Sequence, residues 1–288
     1  MRLLPVPRDL PVQRRVVSRR LTPAPLAITF DFGNTLVRVD RASLQSVVDA
    51  TAESVSARLG PFDRIEWLAA WNEERDRQFR EEVPNFREVD LGDRFIRLLA
   101  RMRGMAPPPI DEPGDPAAAA RHSDPAEIEW AVAAYSDAFI AVVPPPAAVA
   151  PVLAALAERA TLAILSNWPH AATLDRYVEA AGWTRHVAAV VVSQRVGAIK
   201  PHPAIFAAAR AALGDPPPEA ILHVGDDWAA DVLGAAAVGW RTAYLRARQH
   251  DSPLPSSERD ASVEPDLEID DLVDLLEVVA PRDAGARR

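Results

Sequence analysis

"AITFDFGNTLV" (residues 27–37) begins as a short apolar segment and ends abruptly in polar residues. Residues 26–31 are apolar and partly β-branched, which predicts a buried β-strand. Asp31 stands where this strand ends, and acids are rare inside apolar segments unless they are paired or have chemistry to perform. Gly33, two residues further on, offers that acid no second carboxylate. The stretch therefore places one candidate reactive group at the end of the first strand.

The second half of the chain alternates between strand and helix patterns. After the first strand, apolar strands are predicted at 161–166, 188–193, 220–225 and 241–245. Helices are predicted before, between and after them, at 147–159, 171–181, 203–213, 228–238 and 269–279. Such alternation is typical of the α/β class, in which a parallel sheet carries helices on both faces. Residues 26–36 and 144–280 therefore form one predicted core domain.

The intervening residues 37–143 have helical periodicity and form a predicted all-helical insertion after the first strand. Its four helices are predicted at 42–59, 63–82, 90–103 and 125–142, with a loop rich in Pro, Gly and Ala after the third. Two sets of side chains are predicted to face inward, one on the second helix and one on the fourth: Ile65, Leu68, Ala69 and Phe79, then Ile128, Val132, Tyr135 and Phe139.

Composition excludes several classes of protein. The 288 residues are 49% hydrophobic, enough for a sizeable core, and the absence of cysteine excludes disulfides, thiolate metal sites and a cysteine nucleophile. No apolar run approaches the roughly 20 residues of a membrane helix, and no signal-peptide pattern is present, so a cytoplasmic protein is expected. The net charge of −9 argues against nucleic-acid binding. A monomer or a homodimer is expected.

The two ends of the chain have a different composition from the rest. Residues 1–25 carry six arginines, five prolines and a single acid, which predicts a disordered basic arm. Either a solvated leader or a binding arm fits this composition. Residues 281–288 are predicted to be a disordered tail.

Polar residues follow the predicted strands, and the carboxyl ends of parallel strands meet at one edge of a sheet, where α/β proteins bind ligands. Lys200, after the third strand, is the only lysine among 32 basic residues. That rarity indicates a site that needs a compact ammonium rather than a guanidinium. The other residues at this edge are Asp31 and Thr35, Ser166 and Asn167, and Gly225, Asp226, Asp227 and Asp231.

These residue types fit phosphoryl transfer. A carboxylate such as Asp31 can attack phosphorus, and magnesium, which prefers oxygen ligands, can screen the charge of the phosphate. Asp31 and Asp226 form the natural metal-binding pair, with Asp227 or Asp231 in support. The remaining roles go to Ser166 and Asn167 as donors to phosphate oxygens, to Lys200 as the balancing cation and to Thr35 as a hydroxyl beside Asp31.

The four strand-end motifs resemble, in their order and their places, those of the haloacid dehalogenase (HAD) superfamily. The helical insertion resembles the helical cap of its first subfamily, and the resemblance covers roughly residues 26–280. It implies a Rossmann-like core and a phosphatase of a small phosphorylated metabolite, with a cap that gates access of that substrate. It also implies that Asp31 is the nucleophile and that magnesium is held by Asp31, Asp226 and the carbonyl of Gly33.

Gly33 departs from the usual pattern of that superfamily. Its phosphatases usually have a second aspartate at this place, which protonates the leaving group and then activates water. Loss of a general acid–base costs roughly 10²- to 10⁴-fold in rate. This loss matters least for acyl, aryl or anomeric phosphates, whose leaving groups are weak bases. Some phosphatases of the superfamily are similar in having glycine there.

Several alternatives remain open at this point. Asp227 either caps the helix that follows it or supports the metal, and Asp231 either fixes the ammonium of Lys200 or holds a metal-bound water. A dehalogenase-like attack on carbon and a catalytically weak binding protein are the competing functions. Cleavage of a phosphonate is disfavoured because it requires a lysine in the cap, and residues 37–143 contain none.

Overall fold

A six-stranded parallel β-sheet lies at the centre of the computed structural model, which describes residues 21–107, 123–246 and 251–281. The strand order is β3-β2-β1-β4-β5-β6, so the first strand of the chain is central. The strand bounds are β1 Ala27–Phe30, β2 Thr161–Ser166, β3 Val187–Val192, β4 Ile221–Gly225, β5 Arg241–Leu245 and β6 Leu267–Ile269. The predicted α/β class with a parallel, Rossmann-like sheet is confirmed.

The register of the central strands brings the polar motifs together. Phe30, the last residue of β1, is level with Ile164 of β2 and with Val224 of β4. The residues that follow each of these strands therefore emerge at the same edge of the sheet. We call this edge the carboxyl edge.

In the described part of residues 37–143, four long helices form what we call the helical layer. They are α1 Arg41–Leu59, α2 Arg64–Glu81, α3 Leu91–Met102 and α4 Pro125–Val142. Aspartates cap all four, each accepting a hydrogen bond from a backbone N–H of the first turn, which explains why the helices begin where they do. Residues 108–122, most of the predicted loop after α3, lie outside the described residues.

The remaining helices lie between and after the strands. They are α5 Val149–Ala157, α6 Ala171–Ala180, α7 Ser193–Val196, α8 Pro203–Ala212, α9 Gly234–Ala237 and α10 Leu275–Val278. A π-helical turn, Trp228–Leu233, leads directly into α9 where a continuous helix over 228–238 is predicted. Such π-helical turns often occur at functional sites.

The sheet is covered on both faces, and alternate side chains of β1 show how. Ile28 and Phe30 belong to a large apolar cluster that continues into the helical layer through residues such as Phe95 and Phe139. Ala27 belongs to a second cluster on the other face, with Phe206 of α8. The helical layer and the sheet thus share one apolar core. No helix of the described residues is long and apolar enough to cross a membrane.

The predicted last helix, 269–279, starts later than expected and follows a strand that was not predicted. Leu267–Ile269 forms β6, a 3₁₀ turn covers Leu272–Asp274, and α10 covers Leu275–Val278. Leu267 and Ile269 are buried and Glu268 between them is half-buried, which is a strand pattern too short to recognise in the sequence.

The predicted disordered arm is ordered at its end. Leu21 is buried in the main apolar cluster, and its N–H donates to the carbonyl of Val278 at 3.1 Å. Residues 1–20 and 282–288 lie outside the described residues, so the predicted disorder at the two ends remains a prediction there.

Helix α2 buries a face that agrees only in part with the predicted one, since Leu68 packs against the main apolar cluster but Ala69 is exposed. Ile65 is 80% exposed, while the buried positions are Trp67, Ala70, Trp71, Glu74 and Gln78. The polar members of that face are paired. The Glu74 carboxylate accepts from Arg77 Nε at 2.8 Å and from Arg97 Nε, on α3, at 2.7 Å. A search for apolar residues misses this face, because it includes a buried glutamate whose charge is compensated by ion pairs.

Substitution of Glu74 tests that packing. Glu74→Gln removes the buried negative charge that both arginines contact, and the Arg77–Glu81 pair remains, so it should lower the free energy of unfolding by about 2–3 kcal/mol. Urea unfolding measures the change. Glu73→Gln is the matched control, because Glu73 is 63% exposed in its pair with Arg101 and should cause no measurable loss. Equal effects of the two substitutions would contradict this assignment.

Candidate active site

A cavity of about 800 Å³ opens between the carboxyl edge of the sheet and the helical layer. The sheet contributes Asp31 and Gly33 after β1, Ser166 at the end of β2 with Asn167 after it, and Asp226, Asp227 and Asp231 after β4. Lys200 reaches the same cavity from the segment between α7 and α8. All of the predicted site residues except Thr35 line this cavity, and Thr35 contacts it through Asp226.

The Lys200 ammonium joins two of the carboxylates. Its Nζ lies 2.7 Å from Asp31 Oδ1 and 2.6 Å from Asp231 Oδ1, and the lysine is almost fully buried. Burial alone would lower the pKa of Lys200, but the two carboxylates together raise it above its ordinary value. The ammonium therefore stays charged and fixes both acids in place.

Both carboxylate oxygens of Asp231 are hydrogen-bonded, which favours the first of its two predicted roles, fixing the ammonium of Lys200. Besides Lys200, its Oδ1 contacts His223 Nε2 at 3.0 Å, and its Oδ2 accepts the N–H of Asp227 at 2.9 Å. Burial would raise the pKa of Asp231, but Lys200 and His223 hold it far below its usual range. A side chain on Gly225 would overlap this carboxylate, since a Cβ there would lie 2.2 Å from it. Asp231 thus orients the lysine.

His223 is part of this arrangement, although no sequence signal identified it. The ring lies in the middle of β4 and contacts Thr29 Oγ1 through Nδ1 at 2.8 Å. Because the carboxylate of Asp231 has no proton to give, Nε2 donates to it and Nδ1 accepts from the threonine. Burial lowers the pKa of His223, so the ring is neutral. A histidine within the apolar segment "ILHVG" is the only hint in the sequence.

Asp31 and Asp226 are the two acids whose ionisation this network compensates least. Burial raises the pKa of Asp31 to about 6, against the lowering effect of Lys200. Burial and the neighbouring Asp31 raise the pKa of Asp226 to about 8. Thr35 Oγ1 donates to Asp226 Oδ1 at 3.2 Å and orients that carboxylate.

The carboxylates fit a divalent cation. One oxygen each from Asp31, Asp226 and Asp231 lie within 4.8 Å of one another, and such hard oxygen donors suit magnesium. Asp231 is committed to Lys200, His223 and the N–H of Asp227, so Asp31 and Asp226 are the better placed pair. Gly33, whose backbone carbonyl is the third ligand that the resemblance implies, lines the same cavity.

The two polar residues at the end of β2 have different environments. The Asn167 side chain holds the main chain of Lys200, since its Oδ1 accepts the lysine N–H at 2.7 Å and its Nδ2 donates to the lysine carbonyl at 3.1 Å. Asn167, predicted to contact phosphate, therefore also positions the lysine. The Ser166 hydroxyl makes only one long hydrogen bond within the described chain, 3.4 Å to the Asn167 carbonyl, and it lines the cavity.

Asp227 caps the π-helical turn, which is one of the two alternatives for this residue. Its Oδ1 accepts the N–H of Ala230 at 2.8 Å. It also accepts two hydrogen bonds from Ser257, at 2.6 Å from the N–H and 2.8 Å from the hydroxyl. Asp227 therefore joins the site to a loop between β5 and β6.

That loop, residues 251–257, lies against Gly33, and we call it the strap. A Cβ on Gly33 would lie 2.5 Å from Leu254 Cδ1, so the leucine side chain would have to move to admit a side chain at this position. The strap is also attached near Gly33, because Asn34 Nδ2 donates to Ser252 Oγ at 2.9 Å. Sequence reasoning missed the strap, since its contact with the site arises only when the chain folds.

Part of the chain is similar in sequence to a curated phosphatase. Over 90 residues the chain is 39% identical to the glyceraldehyde 3-phosphate phosphatase of Methanopyrus kandleri, a match that covers 31% of this chain and 37% of that protein. The chain thus spans about a third of the length of the curated relatives that it matches.

Solved structures share the fold over almost the whole described chain. A 2-haloacid dehalogenase of Pseudomonas syringae pv. tomato DC3000 superposes with a TM-score of 0.61 at 24% identity, covering 88% of this chain and 96% of that one. A HAD hydrolase of Bacillus subtilis, solved with bound magnesium, gives a TM-score of 0.56 at 16% identity, covering 89% and 99%. The family of haloacid dehalogenase-like hydrolases matches residues 25–239, and the chain belongs to that family.

Proposed function

We propose that the protein is a magnesium-dependent phosphatase of a small phosphorylated metabolite and that it works through an aspartyl-phosphate on Asp31. The observation that carries this proposal is the buried group of three carboxylates around one ammonium. Its negative charge exceeds what Lys200 alone can balance. A bound divalent cation would allow Asp31 and Asp226 to be ionised together at neutral pH, despite the raised pKa of each.

The proposal gives each residue a task that its position in the site supports. Asp31 attacks phosphorus, so a bond forms from its carboxylate oxygen while the ester P–O bond breaks and the leaving group departs as its oxyanion, which takes a proton from water. Lys200 holds Asp31 in position and binds the transferring phosphoryl group, and the Ser166 hydroxyl donates a hydrogen bond to a phosphoryl oxygen. Bound at Asp31, Asp226 and the Gly33 carbonyl, magnesium would supply charge screening for the phosphate. Water then hydrolyses the acyl phosphate and regenerates Asp31.

The strap limits which substrates react well. Gly33 and Leu254 place an apolar wall where a general acid would otherwise stand. The missing acid costs roughly 10²- to 10⁴-fold in rate, which corresponds to about 3–5 kcal/mol of barrier. Substrates whose leaving group needs no proton, such as acyl, aryl or anomeric phosphates, avoid most of this cost.

The competing functions fit the site less well. Attack on a neutral carbon, as in a dehalogenase-like reaction, gains little from a buried cluster of acids with room for a divalent cation. A purely binding or regulatory role leaves the Lys200–Asp31 contact without a purpose, since burying charged groups is costly. The predicted all-helical cap corresponds to the helical layer, and we include its gating of the substrate in the proposal.

Metal removal and loss of the nucleophile provide the direct activity test. An aryl phosphate should be hydrolysed with magnesium and not with EDTA. Asp31→Asn should lower kcat by roughly 10⁴-fold or more while circular dichroism and the unfolding midpoint stay near wild type. Asp175→Asn, the same change on the surface of α6, is the control and should retain activity. Hydrolysis that is indifferent to metal, or that survives Asp31→Asn, would overturn the proposal.

Restoring an acid at position 33 tests the role of the strap. Gly33→Asp combined with Leu254→Ala adds a carboxyl group and removes the side chain that blocks it. The ratio of kcat for an alkyl phosphate to kcat for an aryl phosphate should rise by roughly tenfold or more, because only the alkyl leaving group needs a proton. Leu254→Ala alone is the control and should leave this ratio unchanged. A ratio that is the same in all three proteins would refute the assignment.

A further inference from the structure

Arg94, on α3, is a buried cation in the wall that the helical layer contributes to the cavity. The residue is 5% exposed, and it lines the cavity together with Trp71 and Tyr135 of the helical layer. Burial lowers the pKa of Arg94 to about 10, so its guanidinium remains protonated at neutral pH. The cavity therefore has a positive charge in its helical-layer wall.

The neighbours of Arg94 orient it without neutralising it. Its Nε donates to Gln78 Oε1 at 2.9 Å, and Gln78 is itself fixed because its Nε2 donates to the carbonyl of Asp90 at 2.8 Å. The guanidinium lies over the ring of Trp71, 5.0 Å from its centre. Both contacts are with neutral groups, and the second offsets only a small part of the cost of a buried charge.

In the part of the chain that the structure describes, Arg94 lacks the carboxylate partner that comparable arginines have. Arg77, Arg97 and Arg101 on α2 and α3 each contact a glutamate. The other two arginines that line the cavity are also paired, Arg41 with Asp251 and Arg75 with Asp76. No carboxylate of the described residues lies within 4 Å of Arg94, and its two terminal nitrogens make no hydrogen bond to those residues.

Glu88, an acid that also lines the cavity, does not form an ion pair with Arg94. It is held instead by Ser193, whose hydroxyl donates to it, and by the N–H of Val89. Burial raises the pKa of Glu88 to about 7, so this group carries only part of a charge at neutral pH. The guanidinium of Arg94 thus keeps donors that face the cavity and remain free for a ligand.

We propose that Arg94 binds a second anionic group of the substrate, separate from the phosphate that reacts at Asp31. This inference rests on the proposed function and narrows its substrate class to phosphorylated metabolites that carry a carboxylate or a second phosphate. A planar guanidinium binds either anion through two parallel hydrogen bonds. Trp71 and Tyr135, stacked with ring centres 5.7 Å apart, form an apolar wall beside it that strengthens the interaction.

Inhibition by substrate analogues tests this subsite. The probes are ω-carboxyalkyl phosphonates with two to five methylenes, their carboxamides and the matching alkane bisphosphonates, each against magnesium-dependent hydrolysis of phenyl phosphate. At the length that spans the cavity, the carboxylate or the bisphosphonate should inhibit wild type roughly tenfold or more better than the neutral amide. If the carboxylate improves inhibition more than the bisphosphonate does, the subsite binds a carboxylate. The reverse result indicates a second phosphate.

Variants assign the effect to Arg94. Arg94→Gln should abolish the preference for the charged analogue, and Arg94→Lys should restore part of it, because an ammonium keeps the charge but not the paired donors. Arg101→Gln, on the same helix but outside the cavity, should leave the preference at its wild-type value. Equal inhibition by acid and amide at every length in wild type would overturn the inference, as would a preference that survives Arg94→Gln.

Anion binding at Arg94 and phosphatase activity can be tested independently of each other. Failure of wild type to hydrolyse phenyl phosphate refutes the phosphatase, whatever the analogues do. Calorimetric affinities of the same acid–amide pairs then still report on Arg94, because binding of an anion needs no turnover. Unequal affinities support the subsite and equal affinities refute it.

Discussion

The bridge from Lys200 to Asp31 and Asp231 is the interaction on which the site depends. Burying three carboxylates together is costly unless a cation compensates their negative charge. The ammonium of Lys200, the single lysine of the chain, lies within 2.7 Å of two of them. The surroundings serve this contact. Asn167 fixes the main chain of the lysine, His223 donates to Asp231, and Gly225 leaves space for that carboxylate.

The sheet and the helical layer contribute different charged groups to the cavity. The carboxyl edge presents Asp31, Asp226 and Lys200, which suit a metal-bound phosphoryl group. The helical layer presents Arg94 beside aromatic rings, which suits a further anion. Leu254 of the strap closes the side where a general acid would stand. Together these features favour a small substrate with two acidic groups and a good leaving group.

Sequence reasoning succeeded where backbone geometry fixes the outcome. Parallel strands in register must deliver their following residues to one edge, so the pattern of strands alone suffices to place Asp31, Ser166 and Asp226 together. It failed where tertiary docking decides. The buried face of α2 depends on ion pairs made by Glu74, the three-residue strand β6 is too short to show a period, and the contact of Leu254 with Gly33 joins segments far apart in the chain.

The most direct test of the central claim is a crystal structure with magnesium and beryllium trifluoride, a mimic of the transferred phosphoryl group. We expect a bond from beryllium to a carboxylate oxygen of Asp31, and we expect magnesium in contact with Asp31 and Asp226. Lys200 should still contact Asp231. Beryllium on any other residue, or magnesium bound away from Asp31 and Asp226, would contradict the account.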